Sequence, residues 1–546
     1  MRCLVVGLDG ATLDLIRPWA ADGRLPNMAR LMEVGAQGEL RTTLPPQTSP
    51  AWPSFMTGMN PGRHGVFDFL RRRPGGFDMV NSSQIAAKTL WQLLSEAGLR
   101  VGVLSVPVTY PPAPVNGFMI TGILSPRLAE ISFPPGLHRR YESELGRYRI
   151  GPDVNFREGN EDLFAADLAA MMERRAQYAL RLMADHEWEF CMVHFLGLDL
   201  AQHALWRLID PSHPRYDARD ARLHGDLLPN LYQKADAILG QLWDQLGSED
   251  MLLVMSDHGF GPLHGTVNLN NILLQHGFLH LKQDAVTRIR YSLFRRGITP
   301  RGIYGWLIKL GMQNLVNRFS FRARNAFLGR LMPFSSVDWA RTRAYSMGHV
   351  GQIYINLEGR DPEGSVPPAE FEAERERVIE LLRQLRHPVN DGPLVDEIIL
   401  REQAYKGPYA ESGADLHLVM DGGRYIAFPL FASDTHLVSP QVRGDSGCHR
   451  MHGVLMAAGP NVRPGAVLKG TQIIDLAPTI LYRMGVPVPD NMDGRVLTEL
   501  FDPDFLSANP WAVKVAQPSG GQPEHSFQPE EEAEIEVRLR GLGYLG

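Results

Sequence analysis

"CLVVGLDG", residues 3–10, is the stretch on which the reading of the fold turns. Cys3 to Leu8 form an unbroken run without a charged or polar side chain. A strand with one wet face alternates apolar and polar residues. An unbroken run suits a strand covered on both faces, as in parallel sheets wrapped by helices. The run stops at Asp9-Gly10, a carboxylate followed by the most permissive backbone residue. Open α/β sheets gather their ligand sites at the carboxyl ends of strands, so Asp9 stands where chemistry is expected.

The same phrase returns in "EFCMVHFLGLD" (189–199) and "MLLVMSDHG" (251–259). Each follows a stretch of helical period, "DLAAMMERRAQYALRLMAD" (167–185) and "NLYQKADAILGQLWDQLG" (230–247). "LPNMARLMEVG" puts Leu25, Met28, Leu31 and Met32 on one helical face, and "TLWQLLSEAG" precedes "RVGVLSV". Such alternation predicts an α/β fold, a doubly wound, mostly parallel sheet flanked by helices.

Composition narrows the classes. At 546 residues the chain exceeds one small core and suits a large α/β core with insertions. Hydrophobic content of 44% and charged content of 21% are those of a globular protein. A net charge of −6 gives no general attraction to nucleic acid, and none is expected as a partner. Cys3, Cys191 and Cys448 are too scattered for a disulfide framework or a paired-cysteine zinc site. No uncharged apolar run reaches the roughly 18–20 residues that span a bilayer, and no secretory cleavage pattern follows the first strand. The expected localisation is cytoplasmic.

Four parts are expected: 1–270, the first part of the catalytic core; 271–345, a basic helical insertion; 346–505, the second part of the core; and 506–546, a linker and acidic helical tail. Between 285 and 344 there are twelve Lys and Arg side chains and one acid, Asp338, with aromatic and aliphatic residues between them, as in "IYGWLIKLGMQNLVNRF". This pattern suits either a solvated helical face or a lid-like surface for an anionic substrate or acidic lipid headgroups. The core is expected to resume at "GQIYINLEG" and "DLHLVM". "QPSGGQPEHSFQP" then links it to "EEEAEIEVRLRGLGYLG".

Asp9, Asp199 and Asp257 each follow a buried run. A single aspartate there is as readily a helix cap as a ligand; three, two with histidines attached, point to a metal site. In "DLAQH", Asp199 and His203 are four apart and share one helical face. In "SDHG", Asp257 and His258 are adjacent and would diverge on a regular strand, but on the turn leaving it both can bend toward one ion. Imidazole and carboxylate together suit Zn2+, with Mn2+ as a substitute.

Taken together, "GLDG", "TSPAWPSFMTGMNPGRHG" (48–65), "DLAQH", "SDHG", "GCHRMHG" (447–453) with the following "AAGP", and the closing "DLAPTILYRMGVPVPDNMDGR" resemble the alkaline phosphatase superfamily. Within it they resemble the type I phosphodiesterase/nucleotide pyrophosphatase family, over roughly residues 1–270 and 345–500. The resemblance implies two divalent metal ions. One is expected on Asp9, Asp257 and His258, with the Thr48 oxygen completing its shell, and the other on Asp199, His203 and His449. His449 follows Gly447 by two residues, as the family's ligand follows its glycine; His452 is the weaker alternative. Thr48 falls at the family's nucleophile position, with Ser49 as the fallback. Alone, either hydroxyl would be read as a helix cap ahead of Pro50. Beside two metal half-sites, Thr48 is read as the nucleophile that forms a phospho-threonine intermediate. His64 is expected to brace its loop.

Two positions depart from relatives. Phe69 stands where nucleotide pyrophosphatases carry an Asn that holds a phosphoryl oxygen, which weakens the case for nucleotides; Arg71, Arg72 and Arg73 or the basic segment could supply positive charge instead. Trp52 stands where sulfatases need an Arg. The leading reading is therefore a metal-dependent phosphoester hydrolase, most simply a phosphodiesterase, acting on a small-molecule phosphoester. The alternatives are a transferase moving a phosphoryl-linked headgroup onto a lipid or glycan, and a non-catalytic member that binds a partner.

Overall fold

The strand Cys3–Leu8 lies at the centre of a nine-stranded sheet. Phe190–Phe195 pairs with it on one side and Met251–Met255 on the other, both parallel. The three strands that precede Asp9, Asp199 and Asp257 therefore stand side by side. The full order is Val467–Gln472, Ala36–Arg41, His452–Ala458, Met251–Met255, Cys3–Leu8, Phe190–Phe195, Val101–Leu104, Gly117–Ile120 and Ser132–Phe133. His452–Ala458 runs against both its neighbours and Ser132–Phe133 against its one; the rest share a direction. The computed structural model describes all residues except 74–75, 299–333, 428–435, 441–443, 517–523 and 542–546.

Packing explains the unbroken runs. Leu4, Val6 and Leu8 enter one core, shared with the helices Leu13–Ala21, Glu161–Asp185 and Leu227–Trp243. Cys3 and Val5 enter the core on the opposite face, shared with Trp52 and Phe55 and with the helices Leu90–Glu96 and Leu476–Arg483. Burying one such aliphatic side chain contributes roughly 1.5–3 kcal/mol, so residues of both parities are held apolar. The result is the doubly wound, mostly parallel sheet that the alternation predicted.

A second sheet stands apart from the first. Its order is Ala344–Ser346, Gln352–Ile355, Leu416–Met420, Tyr425–Ala427, Gly265–Val267 and Val438–Pro440, with Val395–Leu400 also pairing on Leu416–Met420. Ile272, Leu273, Val378 and Leu382 cover it from two helices, Leu269–Gln275 and Phe371–Arg383. "GQIYINLEG" and "DLHLVM", read from sequence as the main core resuming, pair in this second sheet; the main sheet resumes at His452–Ala458. Strands this short carry too little pattern to reveal which sheet they join.

The helix Ala285–Arg295 opens the basic stretch, whose centre, 299–333, lies outside the described residues. The helix Pro529–Gly541 buries Ile535 and Leu539 completely in the first core, and Arg538 donates to the carbonyls of Ile123 (2.9 Å) and Ser125 (2.6 Å). Among the described residues, no helix is long and apolar enough to cross a membrane.

Candidate active site

The carboxyl ends of the central strands deliver the expected side chains into one buried cluster. Asp9 follows Cys3–Leu8 directly, and Asp257 and His258 follow Met251–Met255; all three are fully buried. Asp199 and His203 lie on the helix Gly197–Leu205, one turn apart, with His203 Nε2 3.6 Å from Asp199 Oδ1. His449 arrives by a different route. The strand Gly259–Pro262 pairs antiparallel with Gly447–Arg450, placing Phe260 opposite His449. That ribbon stacks the His449 ring on His258, with centroids 3.6 Å apart.

The helix Thr48–Thr57 begins at Thr48 itself. Gln47 is its N-cap, with extended backbone and no side-chain hydrogen bond, so neither Thr48 nor Ser49 caps it. Thr48 is fully buried and presents Oγ1 3.4 Å from His258 Nε2. The first N–H groups of a helix have no acceptor within it, and with the helix dipole they favour an anion such as phosphate.

Ligand atoms of Asp199, His203 and His449 lie within 4.8 Å of one another, and so do those of Asp9, Asp199 and His258. Asp199 thus faces both groups: its Oδ1 is 3.2 Å from His449 Nε2 and 3.9 Å from His258 Nε2. Asp257 adjoins the second group, its Oδ2 3.3 Å from His258 Nε2 and its Oδ1 accepting from the Gly10 amide at 3.3 Å. His452 belongs to neither group; it is exposed at the start of its strand.

The imidazoles are oriented from behind. Nδ1 of His258 faces the Gly259 carbonyl at 3.1 Å, Nδ1 of His203 the Gly447 carbonyl at 3.1 Å, and Nδ1 of His449 the Pro46 carbonyl at 2.8 Å. A carbonyl can only accept, so each Nδ1 carries a proton and each Nε2 is turned toward the carboxylates. Histidine metal ligands are held in this way.

Charge balance makes the same point. Burial, then the nearby Asp257 and Asp199 carboxylates, push the Asp9 carboxyl well above its usual range. Burial, reinforced by Asp199, raises Asp257 from the usual 3.8 to about 7. Burial also works to raise Asp199, yet His203, His449 and His258 outweigh it and hold that carboxyl below its usual range. Burial and the neighbouring His449 lower His258. Asp9 Oδ1 and Asp257 Oδ2 are buried with no hydrogen-bond partner among the described residues. Crowded, dry carboxylates with unused lone pairs beside inward-facing imidazoles fit one or more divalent cations.

Sequence reading missed two neighbours. His194, in the apolar run "FCMVHF", sets Nε2 2.8 Å from Asp9 Oδ2; a lone polar residue in a buried strand was the available signal. Asp445 lies 3.8 Å from His203 Nδ1 on the loop ahead of Gly447. The positions that depart from relatives are absorbed by packing: Phe69 is buried in the first core, and Trp52 meets His194 edge-on at 4.8 Å between centroids. Arg71 is exposed, and the side chains of Arg72 and Arg73 lie outside the described residues. His64 braces its loop, with Nε2 2.8 Å from Ser54 Oγ and Nδ1 accepting from the Val66 amide.

The fold is of the alkaline phosphatase-like class. It is similar to murine ectonucleotide pyrophosphatase/phosphodiesterase 5, at 13% identity and a TM-score of 0.51, covering 92% of this chain and 100% of that one. It is also similar to phosphonoacetate hydrolase from Sinorhizobium meliloti in complex with phosphonoformate, at 15% identity and a TM-score of 0.52, covering 87% and 94%. No curated protein matches the sequence. Residues 3–454 match the family described as type I phosphodiesterase/nucleotide pyrophosphatase, and the chain belongs to that family. It is accordingly a phosphoester hydrolase of phosphodiesterase/pyrophosphatase type, from a metal-dependent family.

Proposed function

We propose that this enzyme is a metal-dependent phosphodiesterase that works through a phospho-threonine intermediate on Thr48. One observation carries most of the weight: a buried, uncapped threonine hydroxyl at the first position of a helix, 3.4 Å from His258 Nε2 and beside buried carboxylates. Two divalent ions, Zn2+ or Mn2+, would be held by Asp9, Asp257, His258 and the Thr48 oxygen on one side and by Asp199, His203 and His449 on the other. When bound, they would supply positive charge to the phosphoryl and leaving oxygens.

The chain's own residues do the rest. The N–H groups opening the helix Thr48–Thr57 hold a phosphoryl oxygen and fix the phosphorus against Thr48 Oγ1. The hydroxyl gives its proton to water, its oxygen bonds to phosphorus, and the bond to the leaving oxygen breaks in line, the departing alkoxide taking a proton from water to leave as the alcohol. Water then cleaves the phospho-threonine and restores the hydroxyl. The Phe69 side chain is buried in the core and has no amide to offer a phosphoryl oxygen, which favours a non-nucleotide diester.

Aryl monoesters, diesters, phosphonates and sulfate esters, assayed with Zn2+ and with Mn2+, test this reading. Diester turnover that leads the panel and disappears on chelation is expected; turnover indifferent to chelation, or confined to sulfate esters, overturns it.

A lipid-linked substrate or acceptor is a second reading, favoured by the helix Ala285–Arg295. Its Val286 and Ile289 are 56% and 61% exposed, on a helix that also carries Arg288, Arg290 and Arg295. Exposed apolar residues among arginines suit acidic headgroups. A cytoplasmic setting belongs to the same proposal and is supported by the three free, buried cysteines.

A further inference from the structure

The strand Phe190–Phe195 is buried along its length, and His194 is its one polar side chain, 1% exposed. Both ring nitrogens are engaged. Nδ1 lies 3.0 Å from the Ser105 carbonyl oxygen, and Nε2 lies 2.8 Å from Asp9 Oδ2. Because the carbonyl only accepts, Nδ1 is the donor there, and one further proton, shared between Nε2 and Asp9 Oδ2, completes the second hydrogen bond; the two contacts together fix the plane of the ring.

Three further features shape the surroundings of the ring and its backbone. Trp52 packs edge-on against it. Gly7, its partner across the strand pair, has no side chain; a Cβ there would come within 2.7 Å of the Trp52 ring and 3.5 Å of the His194 ring. Arg175 donates to the His194 carbonyl at 3.3 Å. Ser105 itself adopts a left-handed backbone, φ 62°, a conformation that costs a non-glycine residue energy and turns its carbonyl toward the ring.

The consequence falls on Asp9. Its Oδ2 is held by His194, while its Oδ1 has no hydrogen-bond partner among the described residues and lies 3.6 Å from His258 Nε2. A carboxylate free to rotate could offer either oxygen or both. This one offers Oδ1 alone.

We propose that His194 is the positioning residue of Asp9, locking its carboxylate so that one oxygen faces the candidate metal centre. This rests on the reading of Asp9 as a ligand given above. Residues that orient metal ligands from behind change affinity by about 10–100-fold when removed.

The test uses the full chain, stripped of metal and titrated with Zn2+ against a chromophoric chelator. His194→Asn retains an amide near the Nδ1 position, for Ser105, but cannot reach Asp9. His194→Gln carries an amide to the Nε2 position and can. His194→Asn is expected to weaken one of two Zn2+ binding events by about 10–100-fold and leave the other within about twofold, while His194→Gln restores most of the loss. Activity of His194→Asn should recover in excess Zn2+. A merely structural histidine would weaken both events together, with a fall in melting temperature and no rescue by Gln; that result, or two unchanged binding events in His194→Asn, overturns the proposal. Asp9→Asn separates the two levels. If wild type binds two ions and Asp9→Asn loses one while His194→Asn keeps both, only the positioning role fails. If wild type binds none, or Asp9→Asn binds as wild type does, the ligand reading fails and this proposal with it.

Discussion

A threonine hydroxyl ionises far above neutral pH, so Thr48 needs help from its surroundings to attack phosphorus. Thr48→Ala is expected to reduce diester turnover by at least about a thousandfold while leaving metal content nearly unchanged; steady-state rates with elemental analysis check both. Asp257→Asn should lower metal occupancy as well as rate, and full retention of metal would remove it from the ligand set. The buried acids also set a pH dependence. Asp257 is raised from 3.8 to about 7 and Asp9 is raised too, both chiefly by burial, so the metal-free native state takes up protons. Their stabilising contribution is complete below the usual carboxylate range and is lost as pH rises through about 7 for Asp257. Cations replace those protons, so Zn2+ should raise the melting temperature more at about pH 8 than at about pH 5.5. At this scale Asp9, Asp257 and His258 were legible because they leave strand ends, and Asp199 and His203 because their four-residue spacing puts them on one face of the helix that follows a strand. His194 and Asp445 were not, because their roles depend on Asp9 and His203, distant in the chain and near only after folding.

Single elements show a similar division. The start of the helix Thr48–Thr57 was legible from Pro50; Gly58 closes it with φ 66°. The ribbon that carries His449 was not, since Gly259–Pro262 and Gly447–Arg450 are too short to announce their pairing. Gly447 is packed closely within it: a Cβ there would lie 2.5 Å from the Gln202 carbonyl oxygen and 2.7 Å from the Phe260 ring. Gly447→Ala should therefore displace His449 and weaken metal binding, measured by the same chelator competition, with the rest of the fold retained. The terminal helix contributes stability rather than chemistry. Leu539 is fully buried, so Leu539→Ala should cost about 2–5 kcal/mol by denaturant unfolding.

For the molecule as a whole, charge is unevenly shared. Residues 285–344 carry a net +11 in a chain of net −6, which leaves −17 on the remainder. If the exposed Val286 and Ile289 meet lipid, the full chain should co-sediment with vesicles rich in phosphatidylglycerol, not with phosphatidylcholine alone, and Val286→Glu with Ile289→Glu should abolish it. The main sheet was legible as a class because its longest strands alternate with long helices; the second sheet was not, since its strands are brief. Sheet order has one further consequence. Among the described residues, Ala36–Arg41 pairs with His452–Ala458 and Val467–Gln472 alone, and the Thr471 hydroxyl that donates to the Glu39 carbonyl lies 432 residues away in sequence. On the ribosome, this strand must wait as a bare edge until residues 452–472 have emerged. Nascent chains should therefore lean on chaperones that shield such edges, and stalled or truncated products should be lost to aggregation or proteolysis.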